Sequence, residues 1–351
     1  MLVQLQYVRA IAALMVVYFH SILQLRNVDA QATLGDFLFG KSGVDLFFVL
    51  SGFVMWITTA GRPIGALEFY QRRVRRIVPL YWAATITAAA IALAIPAVLK
   101  STKFELGHVL ASLFFIPWIN PADPNGAMIA PVIVPGWTLN YEMYFYLVFG
   151  ALLVLGENLR LLALLTFFLA VFAVCRLLPA EATAAIFYGD AVVFEFVAGV
   201  FIGKLYLDGR RIGATPAWAL AALSFAAMVV ADHLDLADIP RIMPIGIPAA
   251  LVIYAAVSVD FSRWKEIGWL RYLGDASYSI YITHIFVLAA ARVAHGHVPF
   301  EWLKNEYLFL IGCLLASTAF GVLVHHLFEA RVEAYFRRRR AGAPALAIRQ
   351  A

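Results

Sequence analysis

The sequence predicts an all-α protein that crosses a membrane many times. Of its 351 residues, 63% are hydrophobic and only 14% are charged, and the mean hydropathy is +0.82. A soluble domain carries about 25% charged residues, whereas about 20 consecutive apolar residues suffice for a helix to cross the hydrocarbon core. Because such runs recur along the chain, the composition excludes a soluble fold and predicts a bundle of spanning helices.

Ten apolar segments, each bounded by charged residues, Pro or Gly, have lengths that suit spanning helices. They cover 8–25, 43–60, 79–99, 138–155, 161–178, 187–207, 216–232, 243–259, 270–291 and 306–328. A further apolar stretch at 109–119 is too short to span and is broken by "PWINPADPNG". With the Pro-rich "APVIVPGW" that follows, it predicts an interfacial or re-entrant part of the long outer loop 101–137.

The distribution of Lys and Arg predicts that both termini are cytoplasmic, because positively charged loops stay inside. The cytoplasmic connections then hold Arg62, Arg72, Arg73, Arg75, Arg76, Arg160, Arg210, Arg211, Arg263, Lys265 and Arg271, and the tail holds "FRRRRAG". The outer side holds mainly scattered Arg26, Lys41, Lys100, Lys103, Arg241, Arg292 and Lys304. Topology and anionic lipid head groups account for the net charge of +5, so no nucleic-acid partner is predicted.

We expect one membrane domain at 1–335, followed by a basic, disordered cytoplasmic tail at 336–351. The two cysteines, Cys175 and Cys313, lie far apart inside apolar segments. Such positions are typical of small core residues rather than of a disulfide or a metal site. No metal is therefore expected.

Arg9 and His20 are the most unusual residues of the first segment. They are eleven positions apart, which on an α-helix is about 16 Å along the axis and about 20° from three full turns, so they share a face. Arg9 lies near the inner boundary, where it either reaches out to the interface or serves a function. His20 lies in the outer half, where an imidazole is costly unless it faces a polar cavity, so a functional role is predicted.

Four other polar residues fall at the outer ends or near the middle of spans. Asp45 opens the second span, where it either complements the helix dipole or orients a histidine. Ser51, near the middle of that span, serves either close helix packing or catalysis. Glu142, one turn into the fourth span, reaches a depth similar to that of His20, so a Glu–His hydrogen bond is a hypothesis. His284, in the outer half of the ninth span, is a candidate for a supporting role.

The connection "FYQRRVRRIVPLYW" places Arg72, Arg73, Arg75 and Arg76 within five residues. Guanidinium groups are bidentate donors that suit phosphates, which predicts a cytosolic site for a polyphosphate cofactor. An anchor that only fixes the topology explains the same cluster equally well.

Five stretches, in this order, resemble the acyltransferase-3 family of integral-membrane O-acyltransferases: "RAIAALMVVYFH", "GVDLFFVLSGF", "RRVRRIVPLYW", "WTLNYEMYFYLVF" and "SYSIYITH". The resemblance extends over roughly 2–335 and is closest to the polysaccharide and oligosaccharide O-acetyltransferase branch. It implies ten spanning helices and transfer of an acyl group, commonly acetyl from acetyl-CoA, to a sugar hydroxyl, most simply in a bacterial inner membrane. The chain departs from many members at Gln6 and Tyr7, where Asp-Gly is common, and at Ala10, where Gly is common.

The resemblance also implies site residues. The family's Arg, ten residues, His motif maps onto Arg9 and His20, its arginine-rich loop onto Arg72, Arg75 and Arg76, and its Trp-Ser/Thr-Leu...Glu motif onto Trp137, Thr138 and Glu142. We expect Arg9, Arg72, Arg73, Arg75 and Arg76 to bind acyl-CoA, and His20, Glu142, Asp45 and His284 to form the catalytic group. Trp137, Thr138, Ser51 and Tyr141 are predicted to bind substrate.

In this hypothesis the arginines hold the phosphates of acyl-CoA while the pantetheine arm extends towards His20. His20, poised by Glu142 or Asp45, acts as general base on the sugar hydroxyl. An acyl-enzyme through His20 stays open, as does an acceptor that is a lipid or peptide. A glycan transporter or flippase would also place ionisable groups in a central cavity, although no duplicated halves are found.

Overall fold

A computed structural model describes residues 2–29, 32–36, 38–234, 236, 239–297 and 304–341 of the chain. Over these residues the chain forms α-helices and short 3-10 and π turns, with one isolated bridge between Ile119 and Ile129. The α-helices are α1 (Val3–Val28), α2 (Gly43–Thr59), α3 (Ala66–Ala94), α4 (Leu106–Leu113), α5 (Trp137–Ala151), α6 (Glu157–Cys175), α7 (Thr183–Tyr188), α8 (Val193–Leu207), α9 (Ala214–His233), α10 (Ile247–Ser258), α11 (Gly268–His295), α12 (Glu306–Val324) and α13 (Ala330–Ala341). The prediction of an all-α membrane protein is confirmed.

Each of the ten predicted spans overlaps a helix, but eight helical segments of the described chain are long and apolar enough to cross a membrane. The other two, α5 and α10, have 15 and 12 residues. At 1.5 Å per residue they reach about 22 Å and 18 Å, less than the roughly 30 Å of hydrocarbon. Helix α5 starts after a 3-10 turn at Val134–Gly136, and α10 follows a π turn at Ile242–Gly246. Prolines in these turns shorten the regular helix.

Two helix pairs form the closest contacts of the bundle, and glycines make the approach possible. Gly52 of α2 lies against the backbone of Phe196 in α8, and Gly199 of α8 lies against the backbone of Val49 in α2. Gly274 of α11 lies against the backbone of Gln6 near the start of α1. A β-carbon at any of these glycines would overlap backbone atoms, so small residues set the rotation of the helices around the centre of the bundle.

The connections differ from the prediction in one place. The outer stretch 109–119 contains the end of the eight-residue helix α4, which is too short to span, as expected. Residues 336–341, which the sequence assigns to a disordered tail, instead continue helix α13. The ring of Phe336 packs there on the guanidinium group of Arg75, which gives the helix a tertiary contact that composition does not reveal. Residues 342–351 lie outside the described part of the chain.

Candidate active site

A cavity of about 770 Å³ runs through the centre of the bundle. Its walls come from α1, α2, α3, α5, α8 and α11. Val44 and Thr58 both line it, and these α2 residues are fourteen positions apart, or about 21 Å along the helix. Arg62, which follows the end of α2, lies at one end of the cavity, and Thr138, in the first turn of α5, lies at the other. The cavity therefore connects the two sides of the bundle over most of its thickness.

Four arginines line this cavity: Arg9, Arg62, Arg73 and Arg76. Arg73 and Arg76 are three residues apart on α3, so they share one face of the helix and project together into the cavity. Arg62 follows α2. The sequence indicates for it only a part in the positive charge of a cytoplasmic connection. The four guanidinium groups give this part of the cavity a positive charge, which favours an anion over a cation.

The other two arginines of the α3 cluster, predicted to bind the cofactor, point away from the cavity. Arg72 forms an exposed ion pair with Glu68 at 2.7 Å. Arg75 lies 3.5 Å from the side-chain oxygen of Gln71 and 5.2 Å from the ring centre of Phe336. Helical geometry is the reason, since four residues within five positions cannot all project from one face. The structure thus divides the predicted arginine cluster into two pairs.

Arg9 does not reach out to the interface. Its side chain is 9% exposed, and its Nη1 donates to the Oε1 of Gln6 at 3.1 Å. Gln6 in turn donates through Nε2 to the Oδ1 of Asp275 at 2.5 Å. Gln6, one of the departures from the family pattern, therefore connects Arg9 on α1 to α11 and fixes the guanidinium group at the cavity wall.

Glu142 belongs to a polar cluster inside the cavity. Its Oε1 accepts hydrogen bonds from the Oγ of Ser51, at 2.9 Å, and from the hydroxyl of Tyr146. The hydroxyls of Ser51 and Tyr146 also contact each other at 3.0 Å. All three residues line the cavity, and the ring of Tyr146 lies 5.5 Å from the guanidinium carbon of Arg73. Tyr146 was missed from the sequence, although its position four residues after Glu142 puts it on the same helix face.

Two buried polar atoms in the cavity wall have no hydrogen-bond partner within the described part of the protein. They are the Nε of Arg73 and the Oγ of Ser277. A buried donor or hydroxyl without a partner is costly, so such atoms are rare in native proteins and often mark a place that a ligand or water fills. Neither atom was singled out from the sequence. Both atoms are available for a hydrogen bond to a polar ligand in the cavity.

His20 and His284 form a pair beside the cavity rather than in its wall. Their ring centres are 4.9 Å apart, and neither ring lines the cavity. The Nδ1 of His20 lies 3.0 Å from the carbonyl oxygen of Val16, and the Nδ1 of His284 lies 2.6 Å from that of Tyr281. A carbonyl oxygen only accepts, so each Nδ1 carries the hydrogen and each Nε2 presents a lone pair when the ring is neutral. The Nε2 of His284 has no partner among the described residues.

Neither carboxylate predicted to orient His20 lies against it. Glu142 binds Ser51 and Tyr146 instead, as described above. Asp45 accepts hydrogen bonds from the Nε and Nη2 of Arg241, at 3.0 and 2.6 Å. The predicted hydrogen bond between His20 and either of these carboxylates is therefore not formed. Its place is taken by the backbone carbonyl of Val16, one helical turn before His20.

The four predicted substrate-binding residues also divide into two pairs. Ser51 and Thr138 line the cavity. Trp137 packs edge-on against Phe48 and Tyr141, and Tyr141 donates its hydroxyl to the carbonyl of Phe187 at 3.0 Å. These two aromatic residues hold α5 against its neighbours and do not line the cavity. No group of three or more His, Cys, Asp or Glu side chains able to hold a metal ion occurs in the part of the chain that the structure describes.

The sequence of the chain is similar to those of known membrane acyltransferases and of a polysaccharide production protein. The sequence profile of a family described as "Acyltransferase domain" (acyltransferase-3) matches residues 2–326. The exopolysaccharide production protein ExoZ of Rhizobium meliloti (strain 1021) is 36% identical over 304 residues, which cover 86% of this chain and 92% of the relative.

Two further relatives are peptidoglycan O-acetyltransferases. The putative enzyme YrhL of Bacillus subtilis (strain 168) is 25% identical over 89% of this chain, and OatA of Listeria monocytogenes serovar 1/2a is 23% identical over 79% of it. These matches cover 52% and 47% of the two relatives, so the chain corresponds to about half of each. No solved structure matches the chain.

Proposed function

The chain belongs to the acyltransferase-3 family, and from that premise we propose that it transfers an acyl group, acetyl in the first instance, from cytosolic acyl-CoA to a hydroxyl of an envelope or exported glycan. It is a multi-pass integral membrane protein. The names of the relatives support a glycan acceptor, because one is an exopolysaccharide production protein, one a putative peptidoglycan O-acetyltransferase and one a peptidoglycan O-acetyltransferase. Their bacterial origin supports the bacterial inner membrane as its location.

The arginine-lined cavity is the observation that carries the proposal. CoA bears a diphosphate and a 3′-phosphate, and Arg9, Arg62, Arg73 and Arg76 offer fixed guanidinium donors for these groups. The cavity volume of about 770 Å³ lies within the range of about 300–1,000 Å³ that is usual for small-molecule sites.

The rest of the wall suits the pantetheine arm of the donor. This arm contains two amides, which both donate and accept hydrogen bonds. The Oγ of Ser277, which has no partner among the described residues, and the carboxylate of Glu142 both line the cavity and suit such contacts. In this proposal Glu142 orients the thioester and balances the charge of Arg73. This role replaces the orientation of His20 that the sequence suggested.

His20 is the proposed general base, and His284 the residue that supports it. The Nε2 lone pair of His20 accepts the proton of the glycan hydroxyl while the hydroxyl oxygen attacks the thioester carbonyl carbon. The bond between that carbon and sulfur breaks, the electron pair stays on sulfur, and CoA leaves as the thiolate. The proton on His20 then passes to water or to the thiolate, which restores the base.

Release of CoA distinguishes this proposal from a transporter. Inside-out membrane vesicles that contain the protein and the cell's own glycans are given acetyl-CoA labelled in the acetyl group. We expect label in the glycan fraction and one free CoA for each acetyl transferred, neither of which occurs in vesicles without the protein. Label in lipid or protein instead would change the acceptor class, and no binding or consumption of acetyl-CoA would contradict the proposal.

We expect Glu142→Gln to lower the rate of transfer by about tenfold or more. The substitution keeps the size of the side chain but replaces a charged acceptor, and a hydrogen bond to a charged group contributes about 1.5–3 kcal/mol. The rate of label transfer in the vesicles is the measurement. Glu266→Gln is the control, because Glu266 forms an exposed ion pair with Arg271 outside the cavity. Equal rates in both variants would remove Glu142 from the reaction.

A further inference from the structure

Tyr281 separates the cavity from the histidine pair. Its side chain lines the cavity, and its ring centre lies 6.1 Å from that of His284. Its carbonyl oxygen is the partner of the Nδ1 of His284, at 2.6 Å. His284 in turn lies against His20. A chain of neighbouring rings therefore leads from the cavity through Tyr281 and His284 to His20.

Two hydrogen-bonding partners hold the ring of Tyr281 in place. Its hydroxyl donates to the carbonyl oxygen of Pro135 at 2.7 Å and lies 2.8 Å from the Oγ1 of Thr138. The Oγ1 of Thr138 also lies 3.2 Å from the carbonyl oxygen of Pro135, so the two hydroxyls and this carbonyl form one hydrogen-bonded group. Pro135 belongs to the turn that ends the outer loop, and Thr138 to the first turn of α5. We call this group, Pro135, Thr138 and the Tyr281 hydroxyl, the latch.

The arrangement poses a problem for acyl transfer. A donor in the cavity reaches a base outside its wall only by passing a residue of that wall, and Tyr281 is a wall residue whose ring lies beside the ring of His284. On the cavity side, the ring of Phe47 stands edge-on to that of Tyr281 at 5.9 Å, which narrows the passage. Protein interiors are close-packed, so a longer acyl group fits past Tyr281 only if the ring moves further from its position.

We propose that Tyr281 is the gate between the donor cavity and the histidine pair, and that its ring sets the length of the acyl group that is transferred. The proposal rests on the proposed acyl-CoA function and adds a residue that determines donor specificity. The latch holds the ring of Tyr281 in place, which keeps water on the far side of the ring away from a thioester bound in the cavity.

Donors of increasing length test the gate. Vesicles with wild-type protein are compared with Tyr281→Ala vesicles, using acetyl-CoA and butyryl-CoA labelled in the acyl group. One methylene in a tight site changes relative rates by about 10- to 200-fold. We expect wild type to prefer acetyl, and Tyr281→Ala to reduce the ratio of acetyl to butyryl transfer at least about tenfold. Tyr70→Phe is the control, because Tyr70 donates to the carbonyl of Leu147 at 2.7 Å and does not line the cavity.

A second experiment tests the latch without Tyr281→Ala, which removes the whole ring. Tyr281→Phe keeps the ring but removes the hydroxyl, and Thr138→Val removes the other hydroxyl at nearly constant volume. In purified protein without acceptor, we expect both variants to raise the rate at which acetyl-CoA is hydrolysed, measured as free CoA, while Tyr70→Phe stays at the wild-type rate.

The outcomes separate the gate from the function on which it rests. If wild-type protein fails to bind acetyl-CoA, the proposed function and the proposed gate are both wrong. If wild type binds and transfers acetyl, an unchanged length ratio in Tyr281→Ala overturns the gate alone. Should Tyr281→Ala not fold, an unchanged rate of hydrolysis in both Tyr281→Phe and Thr138→Val has the same meaning.

Discussion

His20→Ala is expected to abolish acyl transfer while the protein stays folded and inserted. The substitution removes the Nε2 lone pair that accepts the hydroxyl proton, and general base catalysis contributes about 10²–10⁴-fold to the rate. It also removes the hydrogen bond between the Nδ1 of His20 and Val16, which lies within one helix. Label in the glycan fraction of vesicles is the measurement, with binding of acetyl-CoA as the parallel readout. Because His20 does not line the cavity, donor affinity should be retained.

The chain provides a matched control for this variant. The Nδ1 of His297 lies 2.8 Å from the carbonyl oxygen of Val293, four residues earlier, which repeats the local contact of His20. His297 is exposed and does not belong to the cavity lining. His297→Ala should therefore transfer at the wild-type rate. Near-normal transfer by His20→Ala would show that another group accepts the proton, and His284 would be the next candidate because its Nε2 lone pair is available.

Arg73→Ala and Arg76→Ala are each expected to weaken the binding of acetyl-CoA by about 1.5–3 kcal/mol, the range for a hydrogen bond to a charged group, or roughly 10- to 150-fold in affinity. Both side chains line the cavity. Calorimetry on the purified protein measures the change. Lysine should restore only part of the affinity, because it keeps the charge but loses the planar, bidentate geometry of the guanidinium group.

Arg72→Ala and Arg75→Ala are the controls for this series. They come from the same turn of the same helix and remove the same charge, but their side chains pair with Glu68 and pack on Phe336 outside the cavity. We expect little change in affinity at physiological salt, where exposed charges are screened. Equal losses in all four variants would indicate attraction by the overall charge, and no loss in any would leave these arginines as topology anchors.

The sequence by itself determines the class of fold and the chemical types present in the site. Apolar runs of sufficient length have to become helices in hydrocarbon, because no other open structure pairs all its backbone groups there. The cost of burying ionisable groups in a membrane singles out Arg9, His20, Glu142 and His284 from their positions in the apolar segments. Of these, the structure places Arg9 and Glu142 in one cavity and His20 next to His284. These inferences depend on local sequence and on the solvent alone.

Only the tertiary structure decides which groups meet. Helical periodicity shows that Arg73 and Arg76 share a face, but the face that turns inward is set by how α3 packs on its neighbours. The same applies to Glu142, which meets Ser51 rather than His20, because contacts at Gly52 and Gly199 fix the rotation of α2. The position of Tyr281 between the cavity and the histidines depends on Pro135, 146 residues earlier in the chain. Such pairings depend on the packing of distant segments, and the periodicity of one helix contains no information about the rotation of the next.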